Sequence, residues 1–147
     1  MALGWSNTRT AFRDRWNRLR PLDRHRLANA VRAYRGYSRN KRGIATAQSA
    51  WPMSLSVEPT TSCNLRCPEC PSGLRSFTRP TGMLEVDTLK RALDEIGHHV
   101  VYLNLYFQGE PYLHPDMNEL VRIGVAHGLY TSTSTNAHFL RPERCAQ

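Results

Sequence analysis

The sequence predicts an α/β fold, a parallel sheet wound from strand–helix repeats and preceded by a basic helical arm. Three observations lead there. From Met53 onward, short strand-like segments alternate with segments of helical periodicity in the order β-loop-α-β-α-β-(α). Charge divides the chain at the same place: residues 1–50 carry 12 Lys/Arg against 2 Asp/Glu, whereas residues 51–147 carry 8 against 10. The residues with reactive or ligating chemistry all follow strand segments. Alternating strands and helices specify a parallel sheet with right-handed crossovers. Such repeats close, wholly or in part, into barrels whose reactive groups lie at the C-terminal strand ends.

Each element has its own warrant. Phe12, Trp16 and Leu19 keep helical spacing until Pro21 interrupts. Asp23 is placed to cap a second helix, with Leu27, Ala30, Val31 and Tyr34 on one face and an end at Gly36. Ser38 to Ala50 reads as a linker, so residues 1–50 form an arm and residues 51–147 an incomplete barrel domain. A solvated helical arm needs no partner, but its charge suits an acidic partner.

In the second part, Met53, Leu55 and Val57 alternate with polar residues in a strand ended by Pro59. Val86, Leu89, Leu93 and Ile96 mark a helix from about Glu85 to Gly97. Val100 to Phe107 is a second strand, nearly continuous in apolar residues, as a strand covered on both faces would be. Asp116 and Glu119 have capping-box spacing before a helix closed by Gly128. Leu129 to Thr135 is a third strand, and Pro142 opens a further helix. Tyr102, Tyr106 and Phe107 read as core or barrel lining.

The first strand leads into Cys63-Asn64-Leu65-Arg66-Cys67-Pro68-Glu69-Cys70, a C-x₃-C-x₂-C cluster. Three thiolates within eight residues can hold three irons of a four-iron cluster and leave one iron open to an external molecule. The first 25 residues contain no apolar stretch and Val100 to Phe107 is too short to span a bilayer, so a cytoplasmic setting is expected. In a reducing compartment clustered cysteines read as metal ligands rather than disulfides. Zinc is the alternative, with His98, His99 or Cys145 as a fourth ligand, and with the arginine arm it would make a nucleic-acid-binding module. Cys145 lies outside the spacing and reads as a free thiol, and His114 as a structural loop histidine.

With these residues placed, the sequence resembles the radical S-adenosylmethionine (SAM) enzymes. The segment Val57 to Gly73 resembles the cluster segment of that superfamily's SPASM-containing branch. Phe107-Gln108-Gly109-Glu110-Pro111 is similar to its Gly-Glu motif, and Ser134-Thr135-Asn136 to its third-strand motif. The resemblance implies a partial (β/α)6 TIM-like barrel, a [4Fe-4S] cluster held by Cys63, Cys67 and Cys70, and SAM bound with Gly109, Glu110 and Asn136. It implies reductive cleavage of SAM to a 5′-deoxyadenosyl radical, a flavodoxin- or ferredoxin-like electron donor, and a peptide, protein or other small substrate. No catalytic residue is assigned beyond these.

On the residues alone, Glu110 also suits a turn cap before Pro111, and Asn136 a β-to-α turn. Glu69 stands where an aromatic residue often packs near the adenine, which leaves that packing unassigned. Only three of the six strands are legible, and no SPASM extension with its further cysteines follows. The chain therefore reads as the N-terminal part of a longer enzyme, or as an inactive remnant of one.

Overall fold

The computed structural model describes residues 6–44 and 50–146, with side chains of the first helix described from Thr10 onward. Part of the expected linker, residues 45–49, lies outside the described residues. Three strands, β1 (Ser54–Ser56), β2 (Tyr102–Asn104) and β3 (Tyr130–Ser132), form a parallel sheet in sequence order. Leu55, Leu103 and Thr131 share one register row, with Tyr102 aligned to Ser54 and Tyr130. Helix α4 (Val86–Ile96) links β1 to β2, and α5 (Met117–Ala126) links β2 to β3. These are the crossovers the sequence calls for.

Both crossover helices lie on one face of the sheet. Leu89 and Leu93 of α4, Met117 and Leu120 of α5, and Val100, Leu103, Leu105 and Leu129 around the strands form the buried core. Gly124 permits the close contact of α5 with the sheet. A methyl group there would press on Leu103 Cδ2 at 2.7 Å and on Thr131 Oγ1 at 2.5 Å. Because strand side chains alternate, Tyr102 and Asn104 take the opposite face. There Tyr102 stacks on Tyr130 at 4.9 Å. A polar belt also crosses the strands: Ser132 Oγ donates to Asn104 Oδ1 (2.8 Å), and Asn104 Nδ2 to Ser56 Oγ (3.3 Å).

This corrects the expectation that β2 is covered on both faces. Its apolar run contains Asn104, and only the face with Leu103 and Leu105 is buried in the core, while Tyr102 and Asn104 on the other are half-buried. Tyr106 is exposed and Phe107 is 72% exposed, so neither is core. The capping box before α5 is also absent. Asp116 has φ −99° and ψ 25°, not extended, and its side chain caps nothing. Glu119 instead pairs with Arg122 at 3.0 Å.

The arm forms α1 (Ser6–Leu19) and α2 (Arg24–Lys41). Asp23 caps α2 as expected, accepting from His25 N (2.8 Å) and Arg26 N (2.9 Å). The helix runs through Gly36 rather than ending there, since one interior glycine costs only about 1 kcal/mol. Its docked face is not the apolar one. Leu27, Val31 and Tyr34 are exposed, whereas Arg26 and Asn29 are buried.

Arg26 donates through Nη2 to the carbonyls of Gly97 (3.0 Å) and His127 (2.7 Å), and through Nη1 to those of Pro21 and Gly128. Gly97 and His127 are the C-terminal caps of α4 and α5, so one guanidinium serves the negative ends of both helices. Asn29 pairs with both backbone groups of Trp51, each at 3.0 Å. Hydropathy cannot reveal a docking face made of polar groups that meet backbone carbonyls.

Candidate functional site

The chain leaving β1 forms a closed loop. Pro59, Thr60 and Thr61 are buried at its base, where Thr60 forms an antiparallel bridge with Met83 and Leu84 N donates to Pro59 O at 2.9 Å. The three clustered cysteines lie within that loop as free thiols: Cys63 and Cys70 half-buried, Cys67 exposed. Cys70 precedes a short helix, α3 (Pro71–Leu74), which the sequence reading missed because it is only four residues long. A side chain at Gly73 would strike the backbone of Cys67, so α3 packs directly on the cysteine loop.

The Cys70 thiol is held below its ordinary pKa, mainly by the backbone N–H of Gly73 and also by the backbone and hydroxyl of Ser72, against a smaller opposing effect of burial. These donors favour the thiolate, which is the ligating form. Leu65 N also donates to Cys63 Sγ at 3.4 Å.

The loop after β2 is laced to the cysteine loop. Glu110 N donates to Ser62 O at 2.8 Å, and Gly109 N to Ser72 Oγ at 3.0 Å. Gln108 Oε1 accepts from Ser72 Oγ (3.4 Å) and Cys70 Sγ (3.6 Å). Gly109 has φ +77°, and a side chain there would collide with the carbonyl oxygens of Thr60 and Ser62. Only glycine satisfies both that conformation and that approach.

The loop after β3 closes the set. The Glu110 carboxylate is buried and accepts from Thr135 Oγ1 (2.6 Å), Asn136 N (2.8 Å) and Tyr112 N (3.0 Å). Asn136 Nδ2 donates to Asn64 Oδ1 at 2.8 Å, and Asn64 Nδ2 to His138 Nδ1 at 2.9 Å. Cys63, Cys67, Cys70, Gly109, Glu110 and Asn136 thus share one rim at the C-terminal strand ends. Glu110 does cap the turn before Pro111, through Tyr112 N, and binds the β3 loop as well.

The other candidates lie elsewhere. His98 and His99 follow α4 at the opposite end of the sheet, where His99 stacks on Trp51 at 5.0 Å. Cys145 is exposed on α6 (Pro142–Cys145). His114 is buried and structural: its Nδ1 accepts from Asp116 N, which leaves Nε2 to donate to Leu84 O at 2.8 Å. Asn64, Ser72 and His138 were missed, and nothing in their local sequence marks them.

Among the described residues, no group of three or more His, Cys, Asp and Glu side chains is drawn together around a single metal ion. An iron–sulfur cluster offers each thiolate its own iron, so its ligands need not converge on one point. Three free thiols, of which Cys63 accepts a backbone N–H and Cys70 is biased toward thiolate, fit that demand.

A three-stranded parallel β/α sheet with a cysteine-bearing loop on its C-terminal rim defines an α/β protein of the partial-barrel type. The chain belongs to the radical SAM superfamily, whose family model matches residues 57–147. It is 36% identical over 107 residues to the PqqA peptide cyclase of Rhodopseudomonas palustris, covering 72% of this chain and 28% of that protein. It is 38% identical over 93 residues to the mycofactocin maturase MftC of Mycobacterium tuberculosis, and 34% over 92 residues to the AdoMet-dependent heme synthase of Methanosarcina barkeri. Those matches cover 63% of this chain each, and 23% and 26% of the two relatives. The chain therefore spans about a quarter of the length of these relatives. BtrN, solved in complex with AdoMet and 2-DOIA, shares the fold with a TM-score of 0.56 at 24% identity, covering 65% of this chain and 40% of BtrN. No helix among the described residues is long and apolar enough to cross a membrane.

Proposed function

We propose that this chain carries the cluster- and SAM-binding rim of a radical SAM enzyme that modifies a peptide or protein. One observation carries the reading most directly: the three strand-end loops that hold the cysteines, Gly109-Glu110 and Asn136 are joined to one another by hydrogen bonds. Cys63, Cys67 and Cys70 would hold a [4Fe-4S] cluster. When bound, that cluster supplies the electron for reductive cleavage of the SAM sulfonium.

The chain's own residues prepare the place for it. Donors at the start of α3 favour the Cys70 thiolate, and Gly109 lets the loop after β2 lie directly against the carbonyls of Thr60 and Ser62. The Glu110 carboxylate adds negative charge where the methionyl ammonium would lie, while its bonds to Thr135 and Asn136 fix the β3 loop. A peptide substrate is favoured because relatives named as a peptide cyclase and a maturase match this chain at 36% and 38% identity. The family match favours an iron–sulfur cluster over the zinc-module alternative.

The test is spectroscopic. Reconstituted anaerobically and reduced, the chain should give a cluster electron paramagnetic resonance signal that changes when SAM is added. A signal indifferent to saturating SAM would contradict an open iron next to Gly109 and Glu110.

A further inference from the structure

Beside Cys63 a cavity of about 340 Å³ opens between α3 and the segment that returns to α4. Its walls include Arg75, Arg79, Phe77, Ser62, Thr81 and Cys63, and none of the residues lining it is acidic. That volume lies at the small end of ligand sites and suits one side chain rather than a whole cofactor.

The two arginines differ in what they do. Arg79 is held in place: it pairs with Glu58 at 2.6 Å and lies over the Phe77 ring at 4.8 Å. Its charge is thereby largely balanced, and its guanidinium is pre-positioned. Arg75 makes no side-chain hydrogen bond or ion pair among the described residues. Its backbone is left-handed (φ 54°) because it caps the C-terminal end of α3, its N–H donating to Pro71 O, and its side chain is exposed at the mouth of the cavity. The cavity therefore has one uncompensated cation, a second fixed guanidinium, hydroxyls from Ser62 and Thr81, and one aromatic wall. That set recognises a planar anion attached to an apolar stem.

We propose that this cavity is a carboxylate-binding subsite, which receives an acidic side chain of the peptide substrate and so presents the neighbouring segment to the rim beside Cys63. The assignment rests on the peptide-modifying reading above. A carboxylate could also come from the methionyl end of SAM, and the experiment separates the two sources.

The full chain is isotope-labelled and its arginine Nε–Hε resonances are followed by NMR while N-acetylglutamate amide or N-acetylglutamine amide is added at matched ionic strength. Saturable shifts of Arg75 and Arg79 with the glutamate probe, and none with the glutamine probe, are expected. Arg75→Asn, which tolerates the left-handed backbone, should weaken the glutamate probe about fivefold to tenfold, while Arg75→Lys, which keeps the charge but not the planar fork, should fall between Arg75→Asn and the wild type. Equal responses to both probes, or an Arg75→Asn protein that is folded and binds unchanged, would overturn the proposal.

In reconstituted protein, Arg75→Asn should leave SAM affinity as it was. A matching loss of SAM affinity, with SAM excluding the glutamate probe, would assign the subsite to the cofactor and overturn the substrate assignment. Iron content separates this proposal from the reading beneath it. Iron bound without carboxylate selectivity defeats the subsite alone, whereas carboxylate selectivity without iron defeats the cluster reading and leaves the subsite standing.

Discussion

Glu110 accepts the backbone N–H of Asn136 at 2.8 Å, so a buried carboxylate after β2 fixes the path of the chain after β3. The same side chain takes a hydroxyl from Thr135 and an amide from Tyr112. Its backbone N–H is donated to Ser62, one residue before the first clustered cysteine. One residue therefore touches all three loops of the rim.

Glu110→Gln should disrupt that junction. An amide brings two donors to a place where three donors already point inward, so at least one is left unsatisfied. The expected loss is about 1–3 kcal/mol of stability, read by denaturant unfolding of the wild-type and variant chains. Reconstituted Glu110→Ala should also bind SAM more weakly than the wild type. Unchanged stability in Glu110→Gln would show that the carboxylate is not the junction its contacts indicate.

Arg26 should matter for stability but not for iron. Its guanidinium serves carbonyls at the C-terminal ends of both α4 and α5, and Arg26→Ala leaves them buried beside a void. A loss of about 2–4 kcal/mol is expected, with iron uptake after reconstitution unchanged in the folded protein. The exposed neighbour Val31, replaced by Ser, should alter stability by no more than about 0.5 kcal/mol.

Acid should loosen the arm first. The Asp23 carboxyl is held below its ordinary value, chiefly by the backbone N–H of Arg26 and also by that of His25. Asp14 is lowered likewise, first by the Tyr130 hydroxyl, which donates to it at 2.5 Å, and then by Arg18. A depressed carboxyl stabilises the fold above its unfolded value and loses that contribution as pH falls through the folded one. Tyr130 is raised, mainly by the same bond to Asp14, so its contribution is complete below the ordinary tyrosine value and fades as pH rises through the folded one. Amide protection factors in the first turn of α2 should therefore fall as pH drops below the ordinary aspartate range while those of the α4 core are retained. Simultaneous loss of both would contradict a separately anchored arm.

The legibility of this molecule in its sequence was uneven for physical reasons. The α4 face of Leu89 and Leu93, the strand order and the Asp23 cap follow from periodicity and local chemistry, and each lies where that reading puts it. Gly109 stands in the motif the resemblance marks, but its positive φ and its contact with the carbonyls of Thr60 and Ser62 carry no local signal. What escaped were contacts between residues distant in sequence. Arg26 sits 71 residues from Gly97, and Asn64 sits 72 from Asn136. Neither carries a local signal, since an arginine or asparagine that meets a carbonyl looks the same in sequence as one that meets water. The exposure of Phe107 is equally illegible, because nothing in its own segment tells which face of the sheet the helices leave open.

The most direct test of the account is the metal content of the chain after anaerobic reconstitution with iron and sulfide. The account predicts a brown protein with about four irons per chain, lost when Cys63, Cys67 or Cys70 is replaced by Ala and unchanged in Cys145→Ala. A colourless protein that binds a single zinc with equal avidity, or iron that persists without those three cysteines, would contradict it.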